Sequence, residues 1–295
     1  MANNASSVQP AVCAAPAARA MSLVDRLRHA AVGQPRLRRV GKRAVAAGAA
    51  RAVPPGVQLA GLRATRAART RLGRADVFDY PSAPDPFAIR WVDPAEIRRF
   101  SPRVHPPWWA RRESLGDVRA GEWDQRAYDA APRPAAYPQR GERAWLYADR
   151  VADSPLFVAV RDRLERGVEW TDTDYVRAVL ARIESGTPVW QDCRSRADVL
   201  ARCSVVDDLA ESVREKGVST QRELIADGVV ARAGILHALC NEIVVDIARD
   251  GELLLVSGKH RCAIARALDL DTVPVATCVR HERWLHELSR ADNNG

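Results

Sequence analysis

The stretch Asn241–Val279 (NEIVVDIARDGELLLVSGKHRCAIARALDLDTVPVATCV) constrains the fold most, because its apolar residues change period twice over a short distance. Ile243–Ile247 and Leu253–Val256 are short apolar runs separated by Asp250-Gly251, the signature of a β-hairpin. Past Gly258 the spacing becomes helical: Cys262, Ala263, Ala265, Leu268 and Leu270 fit one side of a helix, with Arg266 and Asp269 towards water. Val273–Val279, with Pro274 near its start, reads as a further strand. The unit is hairpin, tight turn, helix, strand.

Lys259, His260 and Arg261 occupy the first turn of that helix. Backbone N–H groups there lack intrahelical partners, and the helix dipole favours negative charge. Each exposed cation in such a turn costs about 0.3–1 kcal/mol. A bound anion reverses the sign, since amides, dipole, Lys259 and Arg261 would then converge on one phosphate. Gly258 allows the sharp turn and a close approach of ligand to backbone. The alternative is structural: Lys259 in solvent, His260 half-buried, and Arg261 paired with an acid such as Asp250 or Asp271.

The segment resembles the fold shared by the N-terminal domain of the chromosome-partition protein ParB and by sulfiredoxin, a superfamily that includes a few small-molecule kinases. There a strand ends in Gly-x-x-Arg, here Gly258 to Arg261, and opens a helix whose start binds nucleotide phosphates. Upstream, Leu209, Ala210, Ser212, Val213 and Gly217 resemble the family's helix-then-glycine segment, and Ile89–Ile97 its opening strand and turn. The resemblance implies an α+β fold with a small mixed sheet, here carrying a mainly helical insertion. The expected divisions are a basic extension at 1–75, opening strands at 76–100, a loop and helical insertion at 101–204, and the family core at 205–295.

The departures bear on chemistry. Sulfiredoxins have Gly-Cys-His-Arg, and Lys259 replaces the cysteine nucleophile, which argues against sulfinic acid reduction. ParB proteins have Gly-Glu-Arg-Arg, of which only Gly258 and Arg261 match. The resemblance thus implies a nucleoside phosphate such as ATP, with Mg²⁺, held by Gly258, Lys259, His260 and Arg261. Arg222 lies where the family's turn after Gly217 meets its ligand. Phosphoryl transfer also needs a carboxylate for metal or base. The candidates are Glu122, Asp124 and Glu223, with Glu242 at the mouth of the hairpin. The expected activity is a nucleotide-dependent phosphotransferase (a kinase) acting on a small metabolite or sugar. The alternative is a non-catalytic ParB-like module that binds nucleotide or DNA.

The net charge of +8 is uneven. Residues 1–74 carry 14 Lys/Arg against one acid, Asp25, while the rest of the chain is net negative. That basic stretch is expected to meet an anionic membrane surface or nucleic acid, with a short amphipathic helix at 21–33 and helical character resuming at Leu59–Leu72. No apolar run of about twenty residues occurs, so no transmembrane segment is expected. Six cysteines show no CxxC pair, and no ligand pair lies at zinc spacing, so no metal ligands are assigned. The expectation is a cytoplasmic protein, membrane-associated if the basic stretch binds lipid.

Two further patterns complete the reading. Phe100–Tyr137 is rich in proline and tryptophan, and Trp108, Trp109 and Trp123 among charges suggest either a substrate-pocket rim or tryptophans that fold the long loop onto the body. Helices are expected from about Pro155, after Thr171 or Thr173, and over Ser195–Cys203, continuing or kinking into Val205–Lys216 before Gly217, and Val77–Tyr80 and Phe87–Val92 have strand character.

Overall fold

Every residue of Ile243–Ile247 and Val273–His281 is buried, which accounts for runs too apolar for a half-exposed strand. The computed structural model describes residues 54–70, 75–103, 114–125, 148–186, 190, 193–229 and 234–293. In chain order the elements are α1 (Pro55–Thr70), β1 (Arg90–Val92), β2 (Arg99–Phe100), β3 (Asp117–Arg119), α2 (Pro155–Arg166), α3 (Asp174–Glu184) and α4 (Arg196–Lys216). There follow α5 (Gln221–Ala226), α6 (Ile235–Asn241), β4 (Ile243–Ile247), β5 (Leu253–Ser257), α7 (Lys259–Ala267), β6 (Val273–His281) and α8 (Glu282–Asn293). The expected hairpin, turn, helix and strand are β4, β5, α7 and β6, and the fold is α+β with a six-stranded mixed sheet.

The strand order is β1-β6-β4-β5-β2, and β3 also pairs with β6. β4 is antiparallel to β5 and parallel to β6, so α7 carries the chain across the sheet between them. β1 runs antiparallel along the first residues of β6, and β3 runs parallel along its last ones.

Alternation along the strands sends side chains to two cores. On one face Val245, Ile247, Leu255, Val273 and Val275 pack with Phe157, Val160, Val176, Val179, Val206 and Cys262 of α2, α3, α4 and α7. On the other, Val244, Leu254, Val256, Ala276 and Cys278 meet Leu239 of α6, Phe87 and Leu115, with Leu59 and Leu62 of α1 against them. Each fully buried aliphatic side chain contributes about 1.5–3 kcal/mol. Two faces lined this way make the sheet the frame of the molecule.

Caps set the helix limits. Thr173 accepts from Val176 N–H to start α3, and a reciprocal Ser195–Asp198 capping box starts α4. Gly217, at φ +72°, closes α4, which runs unbroken for 21 residues.

Several expectations are revised. Val77–Asp79 is a 3-10 turn rather than a strand, because Asp76 and Asp79 form a capping box that satisfies its amides locally. The stretch from Phe87 narrows to the three residues of β1. Within the basic extension expected at 1–75, residues 55–70 form α1, whose Arg66 is buried and pairs with Asp76 at 2.8 Å and Asp117 at 3.0 Å. Within 101–204, β3 joins the sheet, and α2 to α4 build its larger core. Ser101 and Arg103 also bind Asp246 in the middle of β4. Trp123 is buried, stacked on His281, and donates to the Arg119 carbonyl at 3.2 Å, so it forms no pocket rim. Trp108, Trp109 and the helix expected at 21–33 lie outside the described residues. Among the described residues no helix is long and apolar enough to cross a membrane.

Candidate functional site

Gly258 is the hinge between β5 and α7, in the left-handed region at φ +82°. A Cβ there would come within 2.7 Å of the Ile243 Cα, so the backbone requires glycine on both counts. No side chain caps α7, and its first turn holds no acid. The three basic residues that follow go three separate ways.

Lys259 places its ammonium 5.7 Å from the centre of the Phe100 ring, at the end of β2. His260 stacks on Trp190, with ring centres 6.0 Å apart and planes inclined by 9°. Its Nε2 accepts a hydrogen bond from the Trp190 indole N–H at 3.2 Å. Burial, followed by the charges of Arg202 and Lys259, pushes the imidazole down to about 3, so His260 is neutral. Arg261 turns back towards the hairpin mouth, donating to the Asn241 carbonyl and lying 3.5 Å from the Glu242 carboxylate.

Glu242 is fully buried on its side-chain atoms. Its second oxygen accepts from the Gln221 backbone N–H at 2.6 Å. Burial pushes the carboxyl up to about 7, against the opposing pull of Arg261 and the Gln221 amide, and the neighbouring Glu223 adds to the rise. Glu223 itself caps α5, accepting from the Thr220 amide at 2.7 Å and hydroxyl at 2.9 Å. Arg222, in the same short helix, is exposed.

The remaining two candidates are elsewhere. Asp124 is buried and binds Arg249 through the side chain at 2.8 Å and the backbone N–H at 3.0 Å. Burial raises its carboxyl, but the Arg249 hydrogen bonds prevail and hold it at about 2. Glu122 pairs with the same guanidinium at 2.8 Å, and His281 binds the Gly121 carbonyl at 2.8 Å. Arg249 sits in the β4–β5 turn, whereas Gly258 adjoins Ile243 at the opposite end of that hairpin. A five-residue strand at about 3.3 Å per residue puts roughly 15 Å between the two ends. Glu122 and Asp124 therefore brace the 117–125 segment and do not face the start of α7. The structure brings Gly258, Lys259, His260, Arg261, Glu242 and Glu223 into one neighbourhood and leaves Glu122 and Asp124 out of it.

Arg202 was not singled out in the sequence. It lies on α4, which packs against α7, and it is half-buried, with no hydrogen-bond partner for its enclosed Nε among the described residues. Burial lowers its pKa, and no carboxylate is among its charged neighbours. Its charge is felt by His260. A signal existed: Arg202 falls three residues after Val199 and four before Val206, both buried, so it lies on the inward stripe of α4. A charge on such a stripe needs a partner.

No family model, curated protein or solved structure matches the chain. Among the described residues no group of three or more His, Cys, Asp or Glu is placed to hold a metal ion, and the five described cysteines are buried thiols outside any disulfide.

Proposed function

We propose that the chain binds the phosphates of a nucleoside phosphate at the start of α7, in the manner of the ParB and sulfiredoxin superfamily it resembles. The observation that carries this reading is the pair Lys259 and Arg202 flanking a neutral His260 beside an uncapped helix start. Arg261 contributes less than its position in the sequence suggests, because Glu242 and the Asn241 carbonyl already occupy it. The acid-free turn, the glycine that brings backbone amides close, and a half-buried guanidinium without an acid partner all fit a polyphosphate. Mg²⁺ would arrive on the nucleotide's own phosphates, its usual mode, and would neutralise charge between them.

The phosphotransferase reading extends this one and is favoured by Glu242. A buried carboxyl pushed up to about 7 beside a phosphate site is suited to exchanging a proton with an acceptor hydroxyl. In this role it replaces Glu122 and Asp124.

Calorimetry with ATP, ADP and CTP in Mg²⁺ tests the proposal. Saturable binding is expected, weakened about tenfold or more by Lys259→Ala and by Arg202→Ala, since each removes a charge-assisted contact of about 1.5–3 kcal/mol. Absence of binding by the intact chain removes the proposal.

A further inference from the structure

The Arg261–Glu242 pair poses a problem for any anion that approaches the start of α7, and the inference here rests on the phosphate-site reading above. Arg261 is 14% exposed on its side chain and Glu242 not at all, so the pair is largely shielded from water. The attachment is one-sided: a single contact at 3.5 Å joins guanidinium to carboxylate, while Arg261 also holds the Asn241 carbonyl. A phosphate is a better partner for a guanidinium than a lone 3.5 Å contact, because it offers bidentate, charge-assisted bonds. Drawing Arg261 away leaves a buried carboxylate with the Gln221 amide as its remaining donor and with two negative neighbours, Glu223 and the ligand.

We propose that anion binding at the start of α7 is coupled to protonation of Glu242: the incoming phosphate takes Arg261, and the carboxylate it abandons takes up a proton.

The groups around Glu242 support that assignment. α7 faces it with Arg261, and α5 faces it with the Gln221 amide and Glu223. On α6 the titratable side chains are His237, whose pKa burial lowers, and Cys240, a buried thiol. Cys262 acts on Arg261, and burial pushes its thiol up to about 12, so it stays uncharged. Lys259 and Arg202 act on His260, whereas the largest charge effect on Glu242 comes from Arg261. Arg261 is therefore the cation whose loss the carboxylate would feel most.

The sign follows from linkage. With no anion bound, Glu242 titrates at about 7, and losing Arg261 moves that value upward. Below both values the carboxyl is protonated throughout, and this group imposes no pH dependence. Between them binding takes up as much as one proton, and affinity falls by up to about tenfold per pH unit. The same proton governs chemistry, since Glu242 can serve as a base only once it is lost again.

The test is calorimetry of the full chain with Mg²⁺ and ATP from pH 6 to 9, in buffers of different ionisation enthalpy, for the native protein and Glu242→Gln. The nucleotide's own titration is common to both proteins and cancels in their difference. At pH 8 the native protein is expected to take up as much as one proton more than Glu242→Gln, and its affinity to fall between pH 7 and 8 while that of the variant changes less. Sulfate, which does not titrate in this range, provides the same reading on the native protein alone, so the outcome does not depend on the variant folding. Equal proton counts in both proteins, or sulfate binding without proton exchange at any pH, overturn the coupling and leave the phosphate site standing. Failure of both ATP and sulfate to bind at every pH overturns the site itself.

Discussion

Two buried arginines in this protein should respond to the same substitution with opposite signs. Arg103 is 8% exposed and gives Asp246 two bonds, at 2.7 and 2.8 Å. Asp246 also accepts from Ser101 at 2.6 Å and from the Val279 amide at 3.0 Å, so the pair is fully engaged. Arg280 is 1% exposed, yet its Nε and Nη1 have no hydrogen-bond partner among the described residues, and burial pushes its pKa down to about 10. That fall, from 12.5, corresponds to about 3 kcal/mol of penalty on the charged form. Methionine keeps most of the volume and removes the charge. Arg280→Met is therefore expected to stabilise by about 1–3 kcal/mol, less than the full penalty because packing will not be ideal. Arg103→Met leaves Asp246 as an uncompensated buried charge and is expected to cost about 3–5 kcal/mol. At about 2–4 °C per kcal/mol for a domain of this size, melting temperatures of the two variants should lie at least ~8 °C apart, on either side of the native value. Urea midpoints with an unchanged slope would confirm that stability has moved and not the compactness of either state. A loss of more than about 1 kcal/mol in Arg280→Met would refute the reasoning, since it would mean that the guanidinium is well satisfied where it lies.

Three other outcomes can be checked in the same way. Gly258→Ala places a Cβ against the Ile243 backbone in a left-handed conformation and should cost at least about 2 kcal/mol in chemical denaturation, with weaker nucleotide binding. Asp124 has a depressed pKa, about 2 against 3.8, so it contributes stability above pH 4 that disappears as pH falls towards 2. Asp124→Asn should lose on the order of 2 kcal/mol at pH 7 and flatten that acid limb of the stability curve. Glu122→Gln, at an exposed position sharing the same arginine, should change stability by less than about 1 kcal/mol and leave nucleotide affinity unchanged, measured by thermal melting and calorimetry.

What could be read from the sequence was local, and what could not was distant. The hairpin, the glycine turn and α7 follow from residues within a few positions of one another, as do the Ser195 cap and the Gly217 stop of α4. The partners of the charges do not. Arg249 meets Asp124 across 125 positions, Arg103 meets Asp246 across 143, and β3 is a three-residue strand whose pairing with β6 has no signature of its own. The charge at the start of α7 shows the consequence. Read along the chain, Lys259, His260 and Arg261 make three cations in one turn, a strong case for phosphate. In the fold His260 is neutral and Arg261 is offset by Glu242, which reduces the cluster to the one cation Lys259. Arg202, brought in from α4 with no acid partner, raises it again to two. The cationic character of the site thus survives folding, but on a different pair of residues. The electrostatic case for a bound phosphate accordingly depends on Arg202 as much as on any residue of the Gly-Lys-His-Arg turn. Substituting Arg202 should therefore weaken binding as severely as substituting Lys259.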